Sequence, residues 1–167
     1  MKSWTRALTS LATSTTAVLA ALLLLAAPLH AQVFPRGNGI AFTGKTQFDL
    51  YVQVGDWKEM TQSVDSFRLA TLQQFEQTLL SEGIRRRPAN RNYLVCAVQA
   101  TRAGDDIAYT TSVEYWELEN TKVNSLLWQH SSINTIASTR FDEHLVAGEC
   151  ATRFLAEWSR WNTKTDF

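Results

Sequence analysis

The sequence is short of almost everything that would announce a chemistry. Its 167 residues hold two cysteines, three histidines, three prolines and seven glycines. A metal centre calls for three or four converging ligands. The only tight grouping, Asp142, Glu143 and His144, is consecutive, so on a helix its side chains diverge. Charge of one sign is missing too: Lys plus Arg number 16, as do Asp plus Glu. That balance argues against nucleic acid as a partner, because bulk binding rests on neutralising phosphates. There is no internal repeat, no low-complexity tract and no G-x-S-x-G nucleophile elbow. No cofactor is called for. The longest wholly apolar run, Ala17 to Ala27, is about 11 residues, well under the ~20 that a spanning helix requires.

That run has its own explanation. Lys2 and Arg6 precede it, and Pro28, Leu29, His30, Ala31 and Gln32 follow. A charged start, a short apolar stretch, a helix-breaking proline and a small residue form the order of a secretory signal. Residues 1–31 are therefore expected to be a cleaved signal peptide, with an earlier cut after Ala27 and an uncleaved anchor as rivals. No cysteine near the cut supports a lipid-anchored form. The expected destination is periplasmic or extracellular, with no transmembrane helix in the mature chain. Cleavage after Ala31 leaves 136 residues and removes Lys2 and Arg6, so 14 basic side chains face 16 acidic ones. That length suits one domain with a substantial core.

The mature chain divides by its periodicities. Residues 32–46, with Pro35, Gly37, Gly39 and Gly44, are expected to be a flexible, irregular arm. Phe48, Leu50, Val52 and Val54 alternate with Asp49, Tyr51 and Gln53, the period of a strand. Ser63 suits a helix N-cap, Leu69, Leu72, Phe75, Leu79 and Leu80 follow at helical spacing, and Gly83 suits the C-terminal stop. Two strand-like runs, Tyr93 to Thr101 and Ile107 to Leu118, flank the Gly104-Asp105 turn and predict a hairpin. Leu126 to Ile136 predicts one more strand. Ser138 or Thr139 would cap a last helix whose apolar stripe is Ala147, Ala151, Phe154, Trp158 and Trp161. The order β-α-β-β-β-α over residues 47–167 implies a single α+β domain. It is a two-layer sandwich of mainly antiparallel sheet with both helices on one face. The first strand has the option of a parallel crossover to its neighbour.

One motif matches by letters alone. Gly39-Ile40-Ala41-Phe42-Thr43-Gly44-Lys45-Thr46 fits G-x-x-x-x-G-K-[ST]. A phosphate-binding loop needs a strand before it and a helix after it, and here a strand-like run follows. The match is read as a glycine arm.

Few side chains remain as functional candidates. Cys96 and Cys150, in an oxidising compartment, are expected to form a disulfide. Arg85, Arg86, Arg87 and Arg91 form the densest charge cluster, either a partner surface or a solvated connector after a helix. Trp158 and Trp161, one turn apart, either present an aromatic binding surface or close the core. His130 stands beside Ser131 and Ser132. Two functions from different classes follow. The first is an exported, non-enzymatic envelope or secreted protein that binds an unknown protein or envelope component, or assembles with itself. It requires an exposed apolar or aromatic patch of roughly several hundred Å². The second is a small exported hydrolase using His130 with Ser131 or Ser132. It requires a pocket where His130, a serine and a carboxylate lie within hydrogen-bond reach. A third class, a small-ligand carrier, would need an apolar cavity between sheet and helices.

Overall fold

The computed structural model describes residues 32–120 and 123–162; the expected signal segment, 1–31, lies outside them. Strands β1 (Gln32–Gly37), β2 (Gln47–Lys58), β3 (Arg85–Arg86), β4 (Asn92–Ala103), β5 (Asp106–Asn120) and β6 (Val123–Ala137) accompany helices α1 (Val64–Ser81) and α2 (Glu143–Asn162). The six strands form one sheet in the order β1-β6-β5-β4-β2-β3. The pairs β1–β6, β6–β5 and β5–β4 are antiparallel, whereas β2 runs parallel to both β4 and β3. The fold is α+β, as the periodicities imply. Parallel neighbours require a crossover connection, and α1 supplies it between β2 and β4.

Local chemistry sets the element ends. The Ser63 hydroxyl accepts from the Ser66 amide at 3.2 Å, and Gly83, at φ +79°, follows the last turn of α1. Gly104, at φ +66°, lies in the tight turn of the β4–β5 hairpin, where Ala103 faces Asp106. Two details differ from the periodicity. The cap of α2 is Asp142, whose carboxylate accepts from the Leu145 amide at 2.8 Å, because Ser138–Arg140 form a separate 3₁₀ turn. The buried stripe of α1 is Phe67, Thr71, Phe75 and Leu79, a strict i+4 row, which leaves Leu69 and Leu80 exposed.

Strand alternation sorts the sheet into two unlike faces. Phe48, Leu50 and Val52 of β2, Leu94, Cys96 and Val98 of β4, and Val113 and Tyr115 of β5 are buried. They form one cluster with the buried residues of α1 and with Val146, Ala147, Cys150, Ala151 and Phe154 of α2. The opposite parity carries Tyr51, Gln53, Tyr93, Gln99, Glu114, Trp116 and Ile133, none of them buried. Both helices therefore spend their apolar stripes on the same side of the sheet.

The segment expected to be an irregular arm is ordered. Residues 32–37 pair with β6, and Gly39–Phe42 is a 3₁₀ turn that delivers Phe42 into the core, fully buried. The Phe42 ring meets Tyr115, Phe154 and Trp128 edge-on, with centroids 4.9, 5.2 and 5.3 Å away. Its backbone is tied to the end of α2. The Gly39 amide donates to Glu157 Oε1 (2.8 Å), the Gly44 amide to Asn162 Oδ1 (2.7 Å), and Trp158 Nε1 to the Lys45 carbonyl (2.7 Å). These partners lie more than 110 residues away in sequence. Local composition carries no trace of them.

Candidate functional site

The letter match at 39–46 resolves into structural use. The amides a phosphate would need are taken by Glu157 and Asn162, and β2 follows where a helix should begin. The Lys45 ammonium is turned inward. It donates to Tyr115 Oη at 2.6 Å, to Glu117 Oε2 at 3.1 Å and to Asn92 Oδ1 at 3.3 Å. Burial and the Glu117 carboxylate hold the Tyr115 phenol well above its ordinary range, so it stays a neutral member of that cluster.

Cys96, mid-strand in β4, and Cys150 of α2 form a disulfide with Cα atoms 5.9 Å apart. It joins sheet to helix at the middle of the core, and both residues are fully buried. The arginine cluster is divided among structural tasks. Arg85 and Arg86 are the short edge strand β3. Arg86 reaches Asp49 Oδ1 (3.5 Å) and Glu76 Oε2 (3.4 Å), Arg87 donates to Gln47 Oε1 (3.3 Å), and Arg91 donates to the carbonyls of Leu118 and Glu119. The tryptophan pair also separates. Trp158 packs against the core and holds Lys45, whereas Trp161 stays 36 % exposed beside a cleft.

That cleft is the first of two surfaces with functional character. It is about 520 Å³ and opens between α2 and the β6–β1 edge. Thr152, Arg153, Ala156, Glu157, Arg160 and Trp161 line it from the helix, Trp128 and His130 from β6, and Gly37 and Asn38 from the arm. Burial and the Arg153 guanidinium depress the His130 pKa, with Glu157 opposing, so the imidazole is neutral at neutral pH. Among the described residues its Nδ1 is buried without a hydrogen-bond partner. Above the cleft, Glu149 gathers donors: Thr111 Oγ1 at 2.6 Å, Tyr109 Oη at 2.7 Å and Arg153 Nη1 at 3.1 Å. Ser132 is wholly buried and its hydroxyl is 3.1 Å from Thr111 Oγ1. Ser131, one residue away, faces the opposite side of the sheet by strand alternation. Among the described residues no hydrogen bond joins His130 to either serine or to a carboxylate, so the pocket exists without the nucleophile–base contact a hydrolase needs.

The second surface is the uncovered face of the sheet. Tyr51, Tyr93 and Trp116 run across β2, β4 and β5. Tyr51 meets Tyr93 edge-on at 5.6 Å, and Tyr93 stacks on Trp116 at 6.4 Å with ring planes 4° apart. Tyr51 Oη donates to Asp49 at 2.8 Å and Trp116 Nε1 donates to Glu114 at 2.8 Å, which fixes the two outer rings. Beside them Tyr51, Gln53, Ala89, Asn90, Tyr93, Val95, Leu118 and Asn124 enclose a shallow depression of about 570 Å³. Nothing in strand propensity marked this row. The signal was there as outward-parity aromatics at 51, 93 and 116 on three strands, visible once the pairing register is known.

Among the described residues, no group of three or more His, Cys, Asp and Glu side chains is placed to hold a metal ion, and no helix is long and apolar enough to cross a membrane. No protein-family model matches the sequence, and no curated protein does. Among solved structures, two dodecamers of PelC from Paraburkholderia phytofirmans superpose with TM-scores of 0.48 and 0.47 at 16% and 15% identity. Each comparison covers 77% of this chain and 96% of PelC. An uncharacterised protein superposes with a TM-score of 0.33 at 10% identity, over 71% of this chain and 90% of its own. At such scores nothing about function passes from those proteins to this one.

Proposed function

We propose that the mature chain is an exported, non-enzymatic binding protein that works by assembly, with the uncovered face of its sheet as the contact surface. The observation that carries this reading is the ordered aromatic row Tyr51–Tyr93–Trp116 on a face that neither helix covers. A one-sided antiparallel sheet normally turns polar residues to water. Here that side carries three aromatic rings together with Val95 and Ile133, the last 50 % exposed. Tyr and Trp are the residues that contribute most to protein contacts, since they bury a large area while ordering few torsions. Export is supported by the signal-like order of residues 1–31 and by a core disulfide, a bond that persists in oxidising compartments. The hydrolase alternative has less behind it, since Ser132 is buried against Thr111 and, among the described residues, His130 makes no hydrogen bond to a serine.

Sedimentation velocity of the mature chain over roughly 1 to 100 µM tests the reading, a range that spans ordinary self-association affinities. The expected result is a concentration-dependent species larger than the monomer. Tyr93→Lys should abolish it, since the new ammonium lies beside Glu114 in the monomer but has no partner in an apolar contact. A wild-type chain that stays monomeric across the range, or association unchanged by Tyr93→Lys, overturns assembly through this face.

A further inference from the structure

The cleft between α2 and β6 has a donor surplus that the fold does not use. Among the described residues Glu157 is the one carboxylate that lines it, and both its oxygens are occupied. Oε1 accepts from the Gly39 amide at 2.8 Å and from Trp161 Nε1 at 3.0 Å, and Oε2 accepts from Arg160 Nη1 at 3.1 Å. Arg153 spends Nη1 on Thr111 and Glu149. Arg160 spends one nitrogen on Glu157, and its side chain is 74% exposed. Each guanidinium has five N–H donors, so most of those on Arg160 and several on Arg153 meet no acceptor among the described residues. His130 adds another. With Nδ1 enclosed and unpartnered, the ring proton is assigned to Nε2, the nitrogen left to donate. The walls are of a different kind. Trp161 is held in place by its bond to Glu157, and Trp128 and Ala156 give an apolar lining.

From this juxtaposition of unspent guanidinium donors and an indole wall in one cleft, we propose that the chain binds a small carboxylate carried on a ring. The carboxylate would take the planar fork of Arg160, reinforced by Arg153 and His130, and the ring would lie against Trp161. A guanidinium matches a carboxylate bidentately, and an indole face offers its area to a ring of either saturated or aromatic character. A volume of about 520 Å³ falls within the range of small-molecule sites. The shared chemistry has two sources, a sugar acid and an aromatic acid.

The experiment uses the mature, disulfide-bonded chain and follows the Trp161 indole N–H and the Arg160 side chain by NMR. Four probes are added in turn: glucuronate, glucose, benzoate and acetate. The expected result is saturable shifts of both signals with glucuronate, benzoate or both, at roughly millimolar Kd, as suits a few contacts in an open cleft. Glucose and acetate should produce shifts at least tenfold weaker. Glucuronate alone identifies a sugar-acid site, benzoate alone an aromatic-acid site, and both together a site that reads the carboxylate and a flat wall. Arg160→Gln, which removes a largely exposed head, should weaken binding about tenfold with an unchanged thermal midpoint. Trp161→Ala should erase the preference over acetate. No saturable shift with any ring acid up to about 50 mM overturns the proposal, as do equal shifts with glucose or affinity indifferent to Arg160→Gln.

Discussion

At the scale of single residues, two side chains show how far a local reading reaches. Asp49 has an outward strand position yet is only 3 % exposed. Burial works against its charge. The Tyr51 hydroxyl, the Ala89 and Leu50 amides and the Arg86 guanidinium outweigh that and hold its pKa below the ordinary carboxylate value. Because the folded pKa lies under the unfolded one, the charge stabilises the fold fully above the unfolded value, near pH 4. That contribution is lost as the pH falls through the folded value. Asp49→Asn should cost about 1–3 kcal/mol in urea unfolding at pH 7. The gap to wild type should narrow below about pH 4. A gap that does not change with pH would show that shape, rather than charge, is what the variant removes. Phe42 is the second case. Its ring lies among Tyr115, Trp128 and Phe154, so Phe42→Ala should cost about 3–5 kcal/mol, measured the same way. A loss under about 1 kcal/mol would mean the segment before β2 is not part of the core.

At the scale of elements, legibility follows the range of the forces. The strands β2, β4, β5 and β6, the α1 cap at Ser63 and the Gly104 turn were readable because alternation, capping and turn chemistry act over a few residues. The Cys96–Cys150 bond was readable because only two cysteines exist. The order within residues 32–46 was not, because Gly39, Gly44 and Lys45 are held by Glu157, Asn162 and Trp158 from the far end of the chain. Glycines and a proline suggested looseness, and only α2 supplies the partners. The arginine run misled for a related reason: β3 exists through pairing with Gln47 and Phe48, not through any propensity of its own. The disulfide is the element-scale test. It spans 54 residues, and the chain-entropy account gives about 4 kcal/mol for a loop of that length. Replacing both cysteines by alanine should lower the unfolding free energy by about that amount while keeping the far-ultraviolet dichroism of the fold. Unchanged stability would mean that the core around Cys96 and Cys150 holds without the bond.

At the scale of the whole molecule, the sheet divides its labour by face, and the candidate surfaces follow from that division. One face is used up by α1 and α2, down to the buried Thr111 and Ser132. The other keeps an aromatic row whose rings are anchored by Asp49 and Glu114 rather than by core packing. The cleft sits where α2 ends its contact with the sheet, over β6, and its polar lining is the helix side left over once the apolar stripe is buried. None of this could be read before the register was known, because which aromatic residues share a face depends on the pairing of β2, β4 and β5. If the division is real, folding and binding should separate under mutation. Ile133→Lys lies on the open face at 50 % exposure, outside the buried core clusters. Combined with Tyr93→Lys, it should shift unfolding free energy by no more than about 1 kcal/mol, the sum of two ordinary surface changes at independent sites. The same double variant should lose all concentration-dependent association in sedimentation. A large loss of stability together with lost association would mean that the aromatic row holds the sheet itself, and that the face is part of the fold.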